Sequence, residues 1–551
     1  ASNNTAVGYN SLTANTTGAS NVAVGKDALD ANTTASYNVS VGAASLTDNT
    51  TGDHNTAIGS DSLANNTTAA NNTSVGSSSL TANTTGASNT AVGRSALAAN
   101  TTGSNHTAVG KDALLVSTAA GYDTAIGDSV LKANTTGNYN TGVGASALAA
   151  NTTTSNHTAV GYAALSSNTT GVNNTAVGKD SMRATTTGTR NVAVGNASLE
   201  INTTGDDNVA LGDYALYNNT TANNNVAIGK DAMLANTTGT ENVAVGYTSL
   251  DANTTGSYNT AVGTDSMSAN TTGQENVSMG WNSLDANTTG NYNVAIGASA
   301  LGVNTTAASN TAVGYGSLTA NTTGTTNVAV GSTAMAANTT ADNNTGIGAA
   351  SMNGNTTGTR NTAVGSDSLK VNTTGNDNTA VGKGALTANT TASNNTAVGK
   401  NALAANTTGA NNTAVGKSAL DANTTGASNT VLGADALSAD TQGSRSVAIG
   451  TSALEVQNFT TATNTYNVAV GFNAGAAIST GTLNTAVGGL SLDATTTGSY
   501  NTAVGYSAGG AITTGESNVC IGYNAGDAIT TGGANTGLGA GALGATTTAG
   551  N

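Results

Sequence analysis

Few residues in this sequence have side chains suited to catalysis or metal binding. Its histidines are His54, His106 and His157, and its one cysteine is Cys520. A metal site needs several His, Cys or carboxylate ligands converging on one point, and a catalytic centre needs unlike groups in one pocket. Neither a His-Glu-x-x-His zinc motif nor a Gly-Gly-x-Gly-x-Asp calcium repeat occurs. Gly537-Leu538-Gly539-Ala540-Gly541-Ala542 matches a degenerate dinucleotide fingerprint but lacks the strand–helix–strand context that gives the motif its meaning. The sequence therefore predicts no catalytic, cofactor-binding or metal residues, and no enzyme. Two kinds of surface chemistry remain. Tyr9, Tyr37, Tyr139, Tyr247, Tyr258 and Trp281 offer aromatic contacts to a glycan or receptor. Asn15, Asn32, Asn100 and Asn105 each begin an Asn-x-Thr sequon, an acceptor for N-glycosylation where it is exposed.

These residues are placed by an internal repeat. Taking the Asn of Asn-Thr/Val-Ala-Val-Gly as position 1, repeats begin at Asn4, Asn21, Asn38 and every 17 residues to Asn429 and Ser446, then resume at Asn467 and run to Asn535, thirty-two in all. One four-residue insertion, within Glu455–Ala462, breaks the register. This divides the chain into regular repeats (1–454), a register break (455–466) and variant repeats (467–551). Position 5 is Gly in every repeat, which points to a backbone conformation or close approach that no side chain tolerates. Apolar residues at positions 2, 4 and 9 do not follow helical spacing, whereas short β-branched runs bounded by Gly suit strands. The fold expected is all-β: a parallel β-solenoid, or β-roll, of about 32 coils with a 17-residue period. The chain has no Pro, as a ladder in which every amide donates to the next coil requires.

Within this frame, positions 2 and 4 are expected to face the interior with position 9. Gly475, Gly509 and Gly526 replace the usual Leu or Met at position 9, and the same repeats carry Ile478, Ile512 and Ile529 in place of Asn at position 12. Volume lost at one position is restored at the other, so both point into one core. An inward position 12 favours a hydrogen-bonded Asn ladder over glycosylation at Asn15, Asn32 and Asn100. His106 and His157 stand where other repeats have the position 1 Asn, and are expected to substitute in its column. Charges fall mostly at positions 6, 7, 10, 16 and 17, the solvated corners; Asp48, Asp123 and Asp440 depart from that rule.

Position 3 is Ala, Ser, Gly, Val431 or Cys520 and never charged. Lying on the strand face opposite positions 2 and 4, it is expected to form the contact between identical chains, through Ala6, Ala91, Ala244, Val431 and Cys520. Composition argues against nucleic acid and membrane as partners. With a net charge of −15 and 14 basic residues scattered through 551, no basic stripe exists for nucleic acid. No apolar stretch is long enough to insert in a membrane, and no signal peptide opens the sequence, so an export signal or anchor is expected outside it.

The Asn-Thr/Val-Ala-Val-Gly cores resemble the Asn-Ser-Val-Ala-Ile-Gly head repeats of trimeric autotransporter adhesins. The fuller pattern, as in Asn89-Thr90-Ala91-Val92-Gly93 through Asn100-Thr101-Thr102-Gly103, is similar to repeats of phage tail-fibre proteins. That resemblance covers nearly the whole chain, although the 17-residue period is longer than the adhesin head repeat. It implies a left-handed β-roll wound as a homotrimer, an extracellular fibre on a cell surface or virion, and a role in attachment to a glycan or cell-surface receptor. A purely structural, glycosylated filament is the alternative. An ice-binding solenoid is a third, weakened because adjacent threonines at positions 13 and 14, such as Thr16 and Thr17, cannot both face outward from one strand.

Overall fold

A computed structural model describes residues 1–545 and 547; the end of the variant segment, 546 and 548–551, lies outside the described residues. The chain forms two compact units, Ala1–Glu275 and Asn276–Asn551. In the first, three-residue strands recur from Thr5–Val7 to Thr260–Val262, each pairing in parallel with the next at a register of 17 residues: Thr5 opposite Val22, Val22 opposite Val39 and so on. The second repeats this from Val277–Met279 to Thr536–Leu538. No helix occurs among the described residues. The sequence-predicted parallel β-solenoid with a 17-residue period is what the structure shows.

Hydrogen bonds join coils well beyond the strands. Leu12 N–H donates to the Ala28 carbonyl (3.0 Å), Ala14 to Asp30 (3.1 Å), Thr16 to Thr33 (2.9 Å) and Gly25 to Val7 (2.8 Å). Every side of the coil is thus a ladder, which accounts for the missing Pro. The corner glycine meets both demands expected of it. At Gly246 φ is +141°, and an added Cβ would lie 2.4 Å from the Gly263 carbonyl oxygen.

A feature the repeat reading did not anticipate is the left-handed backbone at positions 7, 9 and 17, as at Asp27 (φ 57°), Leu29 (φ 54°) and Tyr37 (φ 62°). A left-handed Leu costs about 1–2 kcal/mol. Burying that side chain fully, as at Leu29, returns about 2 kcal/mol, so packing overrides propensity. Gly475, Gly509 and Gly526 take the same conformation without strain.

The core is thin, and its inward residue is position 3. Ala91, Ala244 and Val431 are fully buried and Cys520 is nearly so, while positions 2 and 4 are mostly half-buried or exposed. Ala6, in a first coil with a neighbour on one side only, is exposed. The expectation that positions 2 and 4 face inward and position 3 faces another chain is therefore reversed. The opposite wall of the same coil limits position 3 to small residues. Where Ser replaces Ala there, Ser40, Ser74 and Ser278 hydrogen-bond Ser45, Ser79 and Ser283 at position 8. A Cβ on Gly142 would lie 2.5 Å from Val130 Cγ1, an enlarged position 8 in the preceding coil. The Gly/Ile exchange is likewise an interior one: a Cβ on Gly475 would sit 2.9 Å from Ile478 Cδ1.

The insertion leaves the strand ladder intact, with Val447 pairing with Val468 across it. It falls later in the coil than expected. Hydrogen bonding keeps the frame through Asn458, and the added residues loop out between there and Thr465. Thr460, Thr461 and Ala462 are exposed, Phe459 folds back inside, and Thr463–Asn464 pairs with Gly443–Ser444.

Candidate functional surfaces

Two columns of asparagine line the interior. At position 12, Asn32 Nδ2 donates to Asn15 Oδ1 (3.0 Å) and to the Ala35 carbonyl (3.1 Å), a pattern repeated along both units. At position 1, Asn21 Oδ1 accepts the Asn38 N–H (3.0 Å) while its Nδ2 donates to the Ala35 carbonyl (2.9 Å). Asn32 and Asn100 are fully buried and Asn15 is half-buried, so these sequons belong to the ladder; Asn105 alone of the four is exposed. Interruptions leave a mark. Ser117, Thr185 and Asp440 replace the ladder Asn, and the preceding Asn100, Asn168 and Asn423 each keep a buried Oδ1 with no partner. Each such orphan costs about 1–3 kcal/mol.

His106 and His157 take the ladder role expected of them. His106 N–H donates to Asn89 Oδ1 (3.0 Å), its Nε2 meets the Ala120 carbonyl (2.8 Å), and its Nδ1 accepts the Asp123 N–H (3.3 Å). Burial lowers the pKa values of His106 and His157 to about 4. Asp123, next in the column, accepts the Asn140 N–H (2.8 Å) and the Asn134 amide (3.1 Å), taking the donor that Ser117 cannot receive. Burial raises its carboxyl to about 7. Asp440 is buried in the same manner, accepting from Gln457 Nε2 (2.6 Å) and the Gly443 N–H (2.9 Å). Asp48 is exposed, as are Tyr9, Tyr37, Tyr139, Tyr247, Tyr258 and Trp281. Cys520 points inward and burial pushes its thiol up to about 11, so it is neither an interface residue nor a ready nucleophile.

The outer surface is organised in columns. Position 17 carries stacked Tyr37 and His54 (4.9 Å between centroids), stacked Tyr122 and Tyr139 (5.3 Å), and the bidentate pairs Arg190–Asp207 and Arg360–Asp377. The outer strand face is different in kind. It presents Thr or Val at position 2 and Val, Ile, Leu or Met at position 4 in every coil, without one charge. Ile58, Val194, Met279 and Leu432 are 40%, 38%, 43% and 49% exposed. Position 14 threonines such as Thr34 and Thr51 form a separate exposed column, whereas position 13 hydroxyls are used internally, Thr33 Oγ1 donating to the Thr50 carbonyl (3.1 Å).

No known protein family matches this chain, and a search of characterised proteins found none similar to it. No group of three or more His, Cys, Asp or Glu suited to a metal ion occurs among the described residues. No helix among them is long and apolar enough to cross a membrane.

Proposed function

We propose that this chain is the shaft of an extracellular fibre, a surface adhesin or phage tail fibre, that acts in attachment and not in catalysis. Identical chains, three about one axis, pack through the outer strand face. The observation that carries this reading is the uninterrupted Thr/Val and Val/Ile face within each unit. A solvated strand face in so polar a sequence has no reason to exclude Lys, Asp and Asn in every coil, and isolated chains rarely expose long apolar strips. Positions 2 and 4 take the place of position 3 as the interchain contact. Glycans or cell-surface receptors are the partners such a fibre meets, and exposed position 17 sequons such as Asn71, Asn105 and Asn173 are open to glycosylation.

Light scattering on the native chain and on Val245→Lys tests this. The native particle is expected at three chain masses, and Val245→Lys is expected to loosen the contact only around its own coil, with the circular dichroism of both unchanged. A monodisperse native monomer overturns the assembly. In that case the exposed Thr/Val–x–Val/Ile array favours the ice-binding reading, and thermal hysteresis measured on that monomer decides it.

A further inference from the structure

Lysine at position 6 follows one rule in the first unit and breaks it in the second. Lys26, Lys111, Lys179 and Lys230 each have Asp at position 7, and each Nζ lies 3.2 to 3.7 Å from that carboxylate. In three successive later coils Lys383, Lys400 and Lys417 occupy position 6, but position 7 is Gly384, Asn401 and Ser418. All three lysines are exposed. Among the described residues Lys383 and Lys400 form no ion pair, and Lys417 comes only within 4.0 Å of Asp435. Residues 378–420 hold these three charges and no carboxylate, in a chain of net charge −15. Their strands pair in register, Thr379 with Thr396 and Thr396 with Thr413, so the three side chains leave the surface at intervals of about 4.8 Å. Elsewhere charged neighbours in one column have opposite signs, as in Arg183–Glu200, Arg190–Asp207 and Arg360–Asp377; where Arg94 meets Lys111, Asp112 offsets the lysine. Like charges facing each other across a ladder are destabilising, and here no carboxylate is placed to offset them.

We infer that this lysine column binds an acidic polysaccharide laid along the ladder. Three charges in a line ask for a ligand whose own negative charges repeat along an extended chain, since one small anion cannot meet all three rungs. Three rungs also fall short of the longer basic stripe that nucleic acid asks for, and no aromatic side chain stands at positions 6, 7 or 10 of these coils to stack a base. Asn401 and Ser418 instead place an amide and a hydroxyl beside the ammonium groups, a polar surface suited to sugar hydroxyls. Gly384 makes room for that amide: a Cβ there would lie 2.6 Å from Asn401 Oδ1. The inference rests on the attachment reading for its class of partner, a glycan, and is independent of the trimer.

The test is biolayer interferometry of the full chain on dextran sulfate, with uncharged dextran, polyphosphate and oligothymidylate as comparisons. Dextran sulfate is expected to bind saturably and less tightly as salt rises, and dextran not at all. Lys383→Gln, Lys400→Gln and Lys417→Gln together should weaken binding about tenfold. Lys26→Gln, Lys111→Gln and Lys179→Gln together make the same change in net charge at paired sites and should leave binding within about twofold. Unaltered circular dichroism shows that both triple variants fold. No saturable binding of dextran sulfate, equal loss in the two triple variants, or tighter binding of polyphosphate or oligothymidylate would each overturn the inference. Light scattering on the same samples keeps it apart from the assembly: trimers that do not bind dextran sulfate overturn this inference alone, and monomers that bind it overturn the trimer alone.

Discussion

Two alanine substitutions in neighbouring turns separate backbone conformation from crowding as the reason for glycine. At Gly246, position 5, an added Cβ would lie 2.4 Å from the Gly263 carbonyl oxygen; at Gly256, position 15, it would lie 2.3 Å from that of Gly273. Crowding alone predicts equal damage. The chain already carries Ala at position 15, in Ala35, Ala69, Ala222 and Ala392, so the facing carbonyl there can yield. Gly256 has ordinary backbone torsions, whereas Gly246 sits at φ +141°. Holding Ala in a glycine-only region costs about 1–3 kcal/mol, and the unrelieved clash adds about 1–3 kcal/mol. Gly246→Ala should therefore lose about 2–6 kcal/mol. Gly256→Ala should stay within about 1 kcal/mol of the parent, aided by a less flexible unfolded chain. In a solenoid each coil answers chiefly to its neighbours, so the readout is amide hydrogen exchange in peptides spanning 242–263. A loss of about 3 kcal/mol accelerates opening-limited exchange more than a hundredfold. Equal acceleration by both substitutions, or none by Gly246→Ala, would refute the argument.

Other consequences follow from the interior. Asp123 binds a proton when folded that it gives up when unfolded between about pH 4 and 7, so its contribution to stability falls as pH rises through that window; His106 and His157, held neutral down to about 4, contribute the opposite slope. Relative to the parent, Asp123→Asn should make stability rise more steeply from pH 4 to 6.5 by one proton's worth, and His106→Asn should make it rise less, as read from denaturant unfolding at a series of pH values; unchanged slopes would contradict the buried placement. Leu250→Gly and Asn253→Ile should each destabilise, the first by about 3 kcal/mol through lost core volume and the second by stripping Asn236 Oδ1 of its donor, yet the pair should cost about 2 kcal/mol less than their sum. Additive losses in that cycle would show that the two positions do not share space. Protease should nick at Thr460–Ala462 while exchange protection persists in the coils on both sides, since the strands flanking the insertion stay paired; two separable pieces would indicate a boundary there instead.

Most of the architecture could be read from the repeat itself. Thirty-two aligned copies make each position its own comparison, so the 17-residue register, the corner glycine, and the inward Asn at position 12 follow from substitutions such as Gly509 with Ile512. The columns taken by His106 and His157 were legible in the same way. What the repeat left open was the direction of a three-residue strand. Alternation over Thr-Ala-Val defines two faces but does not say which is inside, and a column of small residues suits a tight interior as well as a close interface. The deciding signal lay in pairs: Ser40 with Ser45, Ser74 with Ser79, Ser278 with Ser283, and Gly142 following Val130 tie position 3 to position 8 of the same thin core. The left-handed Leu at position 9 was marked only by Gly475, Gly509 and Gly526, whose lost volume explains their Ile partners as readily as a torsion does. Local sequence thus set period, register and corners. Only the closed coil, by bringing its two walls together with room for Ala and Leu between them, decided that alanine goes in and valine faces out.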